Sequence, residues 1–202
     1  MPRVSPFNGL HYSLARFGVP SVPARVRLAD DAQAPPGRLA DITDVVCPPY
    51  DVIDESMRRE LLDRHDRNAV RLEYSPAPDR YFAAAEALDA WVTDGTLERR
   101  AEPAAYLYRH ATASAPDEPT VAGIVVRVLL EPWGGGIRPH EHTMPGPKAD
   151  RLALLRSTRT QLSPVLAVYF DRSERSPIRP RTLGEEWRAR DSDGLLHQLA
   201  AI

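Results

Sequence analysis

The chain has a single cysteine, Cys47, among its 202 residues. That excludes an internal disulfide framework and a cysteine-rich zinc centre. No apolar run approaches the roughly 20 residues that a membrane-spanning helix needs. The amino-terminal stretch MPRVSPFNGLHYSLARFG has no continuous apolar core, so it does not read as a secretory signal. Neither sign of charge dominates: 26 Lys and Arg stand against 28 Asp and Glu, a net charge of -2. The chain therefore has no bulk attraction to nucleic acid or to an anionic membrane. There is no internal repeat and no long low-complexity tract. Together these absences suggest a cytoplasmic protein that binds neither nucleic acid nor membrane. The length suits one large domain or two small ones.

Proline is what the chain has in excess: 20 residues, about twice the usual usage. Proline fixes φ and cannot donate to a ladder, so its clusters mark joints between elements. Residues 1–40 read as an irregular arm with one short strand, Val22 to Leu28. Ile42 to Cys47 reads as a strand that stops at Pro48-Pro49. Asp54 offers a helix N-cap, with Glu55 in the first turn and Met57, Leu61 and Leu62 on one face. Asn68 to Tyr74 alternates in the manner of a half-buried strand. Asp79 to Thr93 is the strongest helix, with Tyr81, Ala84, Leu88 and Trp91 on one stripe and Gly95 able to close it in left-handed geometry. Ala104 to Ala111 and Val121 to Leu130 suggest a hairpin. Pro147 suits the first turn of a helix running to about Arg159 with Leu152 and Leu155 packed inward. Pro164 to Phe170 reads as a strand, 172–181 as a linker, and Leu183 to Ile202 as helical. The expected fold is α+β, a mixed sheet with flanking helices. Its divisions are an arm at 1–40, a core at 41–171 and a linker with a helical segment at 172–202.

The densest chemistry lies in His140-Glu141-His142-Thr143-Met144-Pro145-Gly146-Pro147-Lys148-Ala149-Asp150-Arg151. This run follows a strand-like stretch and the Gly134-Gly135-Gly136 turn and leads into a helix. Clustered titratable groups often mark a site, although ion-pair networks imitate one. His140 and Glu141 suit a base with its orienting partner, a pair of metal ligands, or loop residues with structural hydrogen bonds. Lys148 and Arg151 lie three apart and share a helix face. With the helix N-terminus they would hold a phosphate or carboxylate; otherwise they form a solvated face closed by Asp150. Thr143 either donates its hydroxyl to that anion or makes a loop hydrogen bond. Asp51 reads as a base or metal carboxylate, and Tyr50 as a stacking platform. The alternative there is an Asx turn with Tyr50 as a lid on the core. Arg71 reaches either an anion or a nearby carboxylate, and Asn68 begins the same segment. Cys47 reads as a small core residue, and histidines 11, 65, 110 and 197 as scattered singles.

Several of these blocks carry a family resemblance. Cys47-Pro48-Pro49-Tyr50-Asp51-Val52-Ile53 resembles the P-P-Y-D-V signature of an uncharacterised bacterial family described as SerB-linked. Asn68 to Glu73, Trp91 to Leu97, His140-Glu141-His142-Thr143, Pro147 to Leu155 and Ser163 to Asp171 resemble its further blocks, in the same order. That family is similar to the ParB and sulfiredoxin superfamily, whose members bind nucleotides and include a kinase acting on free serine. The resemblance implies ATP, ADP or another nucleotide with Mg²⁺ as cofactor. It implies phosphoryl transfer to a small metabolite, or a nucleotide-binding switch without catalysis. A homo-oligomer is compatible with either. His140, Glu141 and Asp51 would be catalytic, and Thr143, Lys148, Asp150, Arg151, Tyr50, Arg71 and Asn68 would hold substrate or phosphate. Family members also carry an Asp-Gly-His-His-Arg block. Here the nearest stretch is Asp193-Gly194-Leu195-Leu196-His197, so the chain resembles the family's first half, and a non-catalytic fragment is a further expectation.

Overall fold

The computed structural model describes residues 3–19, 38–112, 114–115, 121–132, 134–139, 142–168 and 183–202. The expected strand at Val22 to Leu28 lies outside them. The described residues form an α+β protein with a six-stranded mixed sheet, two small two-stranded sheets and four α-helices. They divide into two compact units: residues 1–13, 44–104 and 126–162 in the first, and 14–43, 105–125 and 163–202 in the second.

The first unit is helical, with two short ladders. Strands β1 (Val4–Ser5) and β2 (Leu10–Tyr12) pair with later strands of this unit. Helix α1 (Glu55–Arg64) begins where its sequence directs it, since Asp54 accepts a hydrogen bond from the Met57 amide at 2.8 Å. Residues 68–74 do not form a strand. Val70–Glu73 is instead a single helical turn, α2. The period-2 pattern has another cause: Val70 packs with Ile53 and Leu61, while Leu72 packs with Leu88, Trp91 and Leu97, so the turn sits between two apolar clusters. Helix α3 (Arg80–Thr93) buries Ala84, Leu88 and Trp91, and Gly95 follows it at φ 74°. Tyr12 packs beside Trp91 and donates its hydroxyl toward the carbonyls of Val45 and Arg67, each at 2.9 Å. Helix α4 (Pro145–Thr158) carries Pro147 in its first turn and is capped by Arg159, as the sequence leads one to expect. It buries Leu154 and Thr158, whereas Leu152 and Leu155 face outward.

Asn68 is fully buried and fixes the joint before α2. Its amide nitrogen donates to the carbonyls of Asp44 and Val46 at 2.8 and 3.0 Å, and its side-chain oxygen accepts from the Val70 amide at 3.0 Å. The stretch from Ile42 to Cys47 is not a strand: the Asp44 and Val46 carbonyls accept from this amide, and the Val45 carbonyl accepts from the Ala69 amide at 2.7 Å.

The second unit is the six-stranded sheet. Its strands are β3 (Gly18–Val19), β4 (Arg38–Asp41), β6 (Tyr106–Thr112), β7 (Val121–Val125), β9 (Glu185–Arg190) and β10 (Leu195–Ala201), in the order β3-β4-β9-β10-β6-β7. Strands β5 (Leu97–Arg99) and β8 (Arg127–Val128) belong to the first unit and pair with β2 and β1. Among the described strands of this sheet, only β4 and β9 pair in parallel. The β6–β7 hairpin matches expectation. The C-terminal segment does not: it is the β9–β10 hairpin instead of a helix. Its helix-favouring Glu, Ala, Leu and Gln are overridden by an Asp-Gly turn and by sheet pairing on both sides. In that turn Asp191 accepts from the amides of Asp193 and Leu195, and Gly194 takes φ 80°. Trp187 and Ala189 alternate into the core, where Trp187 lies 6.3 Å from Tyr106. Residues Pro164 to Val168 form no strand and lie exposed; Tyr169 and Phe170 are outside the described residues.

Replacing Asn68 by Ala strips two carbonyls and one amide of their buried partner. An unsatisfied buried group costs about 1–3 kcal/mol, so urea unfolding of Asn68→Ala should shift to a lower midpoint by about 2–4 kcal/mol with an unchanged slope.

Candidate functional site

Three of the residues singled out by sequence meet in space. Arg151 stands on the second turn of α4, and its guanidinium carbon lies 3.8 Å from the centre of the Tyr50 ring. Tyr50 opens a short 3₁₀ turn, Tyr50–Val52, which Pro48 and Pro49 deliver rigidly. Asp150 is the neighbour of Arg151 and accepts from its Nε at 2.8 Å.

The rest of the cluster comes from residues that sequence reasoning passed over. Glu73, at the end of α2, takes Arg151 Nη1 on its carboxylate at 2.7 Å and Nη2 on its backbone carbonyl at 3.2 Å. Asp150 also accepts from the hydroxyl of Tyr81 at 2.8 Å and forms an ion pair with Arg80. Arg80 lies over the rings of Tyr81 and Tyr74, at 5.0 and 5.6 Å from their centres. Arg58 covers Tyr74 from α1 at 5.0 Å. The hydroxyl of Ser157 donates to the Tyr81 carbonyl at 2.8 Å, which fixes α4 against α3. The signal available for Glu73 was its place in the Asn68-to-Glu73 block. Read as a strand, that block put Glu73 on the solvent side; as a helical turn, it turns Glu73 toward α4.

The electrostatics follow from this crowding. Burial pushes the Asp150 carboxyl up, but hydrogen bonds from Arg151 and Tyr81 and the charges of Arg151 and Arg80 outweigh it, so the group sits below the usual carboxylate range. The hydrogen bond with Tyr81 raises Arg80, burial lowers it, the Asp150 charge raises it again, and the net shift is upward. Burial, with the Glu73 charge, pushes the Cys47 thiol up to about 12, so the thiol is protonated and unreactive at neutral pH.

The other sequence-predicted residues separate into two groups. Asn68 and Arg71 face the protein's own backbone: Asn68 as described, and Arg71 through a hydrogen bond to the Leu62 carbonyl at 3.2 Å. Asp51, Thr143 and Lys148 are exposed, and none forms an ion pair or a side-chain hydrogen bond with a described residue. His142 is exposed. His140 and Glu141 lie outside the described residues. The first turn of α4 offers little backbone to an anion. Pro145 and Pro147 lack an N–H and the Lys148 amide bonds the Met144 carbonyl at 3.3 Å, which leaves Gly146. Among the described residues, no group of three or more His, Cys, Asp or Glu is placed to hold a metal ion.

Residues 31–202 match the family model described as protein of unknown function (DUF1015), and the chain belongs to that family. No curated protein and no solved structure matches.

Asp150 and Asp94 set an acid limit on stability. Hydrogen bonds from Thr96, with Arg67 beside it, take Asp94 from its ordinary 3.8 to about 2. A carboxyl held low in the folded state stabilises the fold above its unfolded value and loses that contribution as pH falls through the folded value. The urea midpoint should therefore stay flat from neutral pH to about 5 and fall below about 4. Arg151→Ala leaves the partly buried Glu73 and Asp150 carboxylates short of a cation. It should lower the unfolding free energy measured in urea at pH 7 by about 3 kcal/mol.

Proposed function

We propose that this protein binds a phosphate-bearing small molecule, a nucleotide with Mg²⁺, and transfers a phosphoryl group to a small hydroxyl metabolite. The observation that carries this reading is a division of labour among the charged residues. Arg151, Asp150, Glu73 and Arg80 neutralise one another and join α4 to the Tyr50 turn, while Lys148, Thr143 and Asp51 remain exposed and unpaired. Lys148 stands one helical turn before Arg151, and Asp51 directly follows Tyr50. A cation near a helix N-terminus works against the dipole unless an anion joins it. Lys148 and Thr143 would take phosphate oxygens, and Asp51 would be a metal carboxylate, since Mg²⁺ bridging phosphates often takes only one or two protein carboxylates. His140 and Glu141 would receive the proton of the acceptor hydroxyl. Phosphoryl transfer relies mainly on positioning and charge neutralisation, which suits this set. The blocks around these residues resemble those of the SerB-linked family, and that family's similarity to the ParB and sulfiredoxin superfamily supports the same reading.

A second reading, nucleotide binding without turnover, is favoured by one specific observation. The guanidinium expected to neutralise phosphate, Arg151, has its donors on Glu73 and Asp150, so charge neutralisation falls to Lys148.

Calorimetric titration with ATP, ADP and CTP in the presence of Mg²⁺ tests the binding step. Micromolar to millimolar affinity is expected, and Lys148→Ala should weaken it about tenfold, the worth of one charge-assisted hydrogen bond. A phosphoryl-transfer assay with serine and related hydroxyl metabolites then separates the readings. Product formation abolished by Asp51→Asn supports the enzyme, and binding without product supports the switch. No binding of any nucleotide would overturn both.

A further inference from the structure

Strand β7 is the outermost strand at one end of the six-stranded sheet, and it is not built as an edge. Unpaired N–H and C=O groups on an edge template further pairing, so edges are usually blunted by short length, charge, proline or a covering element. The opposite edge of this sheet is short, since β3 is only Gly18–Val19. Strand β7 lacks these devices. Its five residues, Val-Ala-Gly-Ile-Val, include no charge and no proline. Val121, Ala122, Gly123 and Ile124 are exposed, with Val121 46% and Ile124 37% open to solvent, and Val125 is half-buried. Successive side chains of a strand point to opposite faces, so β7 turns apolar surface to water on both. Among the described residues, none of 121–125 makes a backbone hydrogen bond outside the ladder with β6. A continuous apolar run of this kind is the composition of an interior strand.

The order of residues in β7 says what would cover it. The strand is close to a palindrome about Gly123. Two copies paired antiparallel with Gly123 on the two-fold axis set each Val121 against a Val125, each Ala122 against an Ile124, and the two Gly123 against each other. Every side-chain pair across the contact is then apolar, the kind that stabilises a ladder. The space beside Gly123 is open, since a Cβ placed there meets nothing within 4 Å among the described residues.

Charge favours the same arrangement. On β6, Arg109 stands opposite Ala122 and Leu107 opposite Ile124. Across the axis, the row of Arg109 and Ala122 therefore continues into Ile124 and Leu107 of the second copy. The two Arg109 side chains fall on different rows, three strand spacings or about 14 Å apart. That exceeds the Debye length of about 10 Å at about 0.1 M salt, so their repulsion is screened. In the sequence, Asp117 and Glu118 precede the strand and Arg127 follows it. An antiparallel pair thus has an acidic approach beside a basic exit at each end, whereas a parallel pair would set like charges together.

We propose that β7 is a self-association edge, through which two copies of this chain join their six-stranded sheets antiparallel into one continuous sheet. The contact is isologous, so it closes at two copies and covers the exposed edge of both. Five residues from each copy make a small interface, so the dimer is reversible and concentration-dependent. It shares no residue with the nucleotide reading at α4, and neither depends on the other.

The test is sedimentation velocity of the full chain over a concentration series, where a monomer–dimer equilibrium is expected. Ile124→Lys, at an exposed position, should weaken the dimer about tenfold or more and leave the circular dichroism spectrum unchanged. A cysteine scan checks the register. Gly123→Cys should give a disulfide-linked dimer with oxidised glutathione, because facing residues of an antiparallel ladder have Cα atoms about 4.5–5.5 Å apart, within disulfide reach. Val121→Cys should not, since its two copies lie four residues apart along the strands, about 13 Å. The parent chain, whose one thiol is Cys47, should not cross-link either. A chain that stays monomeric at every soluble concentration would overturn the proposal, and protection of the β7 amides from hydrogen exchange in that monomer would assign the edge to a segment of the same chain. Association untouched by Ile124→Lys, or cross-linking at Val121→Cys as readily as at Gly123→Cys, would overturn it as well.

Discussion

One guanidinium organises the helical unit. The donors of Arg151 reach Asp150 on its own helix and Glu73 at the end of α2, and its face covers Tyr50. Three segments far apart in sequence are thereby joined by a single side chain. A guanidinium suits this role because it is planar, always charged and able to bond in its plane while stacking on an aromatic face. A lysine in the same place would supply the charge without the fork or the flat face.

Much of the remaining architecture depends on how that ion is neutralised. Two carboxylates and two arginines share the space between α2, α3 and α4, with Tyr81 and Tyr74 filling the gaps. Asp150 is kept ionised by three donors, and Arg80 by a carboxylate and a phenol. Such a network adds geometric definition more than raw stability, since desolvation offsets much of the attraction. It holds the start of α4 and the Tyr50 turn in fixed positions, where Lys148, Thr143 and Asp51 remain available.

Where local rules suffice, the sequence is legible. Asp54 caps α1, the Ala-Leu-Trp stripe of α3 faces the core, and the β6–β7 hairpin forms where two strand-like runs flank a proline-bearing loop. The clustering of Tyr50, Asp150 and Arg151 was also legible as a set of chemically notable residues. Errors arise where tertiary context overrides pattern. Residues 68–74 alternate because α2 is wedged between two cores, which imitates the period of a strand. Residues 183–202 favour a helix by propensity, yet the Asp-Gly turn and the open edges of β4 and β6 draw β9 and β10 into the sheet. The contact of Arg151 with Glu73 is illegible for a related reason: it becomes visible only once α2 is seen as a helical turn, whereas Asp150 stands beside Arg151 in the sequence itself. His110 and His197 lie 87 positions apart, and only strand register sets them directly opposite each other.

The claim that Arg151 is a structural clasp, with its charge answered inside the protein, is tested most directly by a double-mutant cycle. Glu73→Gln, Arg151→Gln and the double variant would be compared by urea unfolding at pH 7. Close partly buried pairs couple by about 1–3 kcal/mol, and a coupling of that size is the predicted result. A coupling near zero at pH 7 would contradict the account, because Arg151 would then be a solvated cation and not the joint between α2, α4 and the Tyr50 turn.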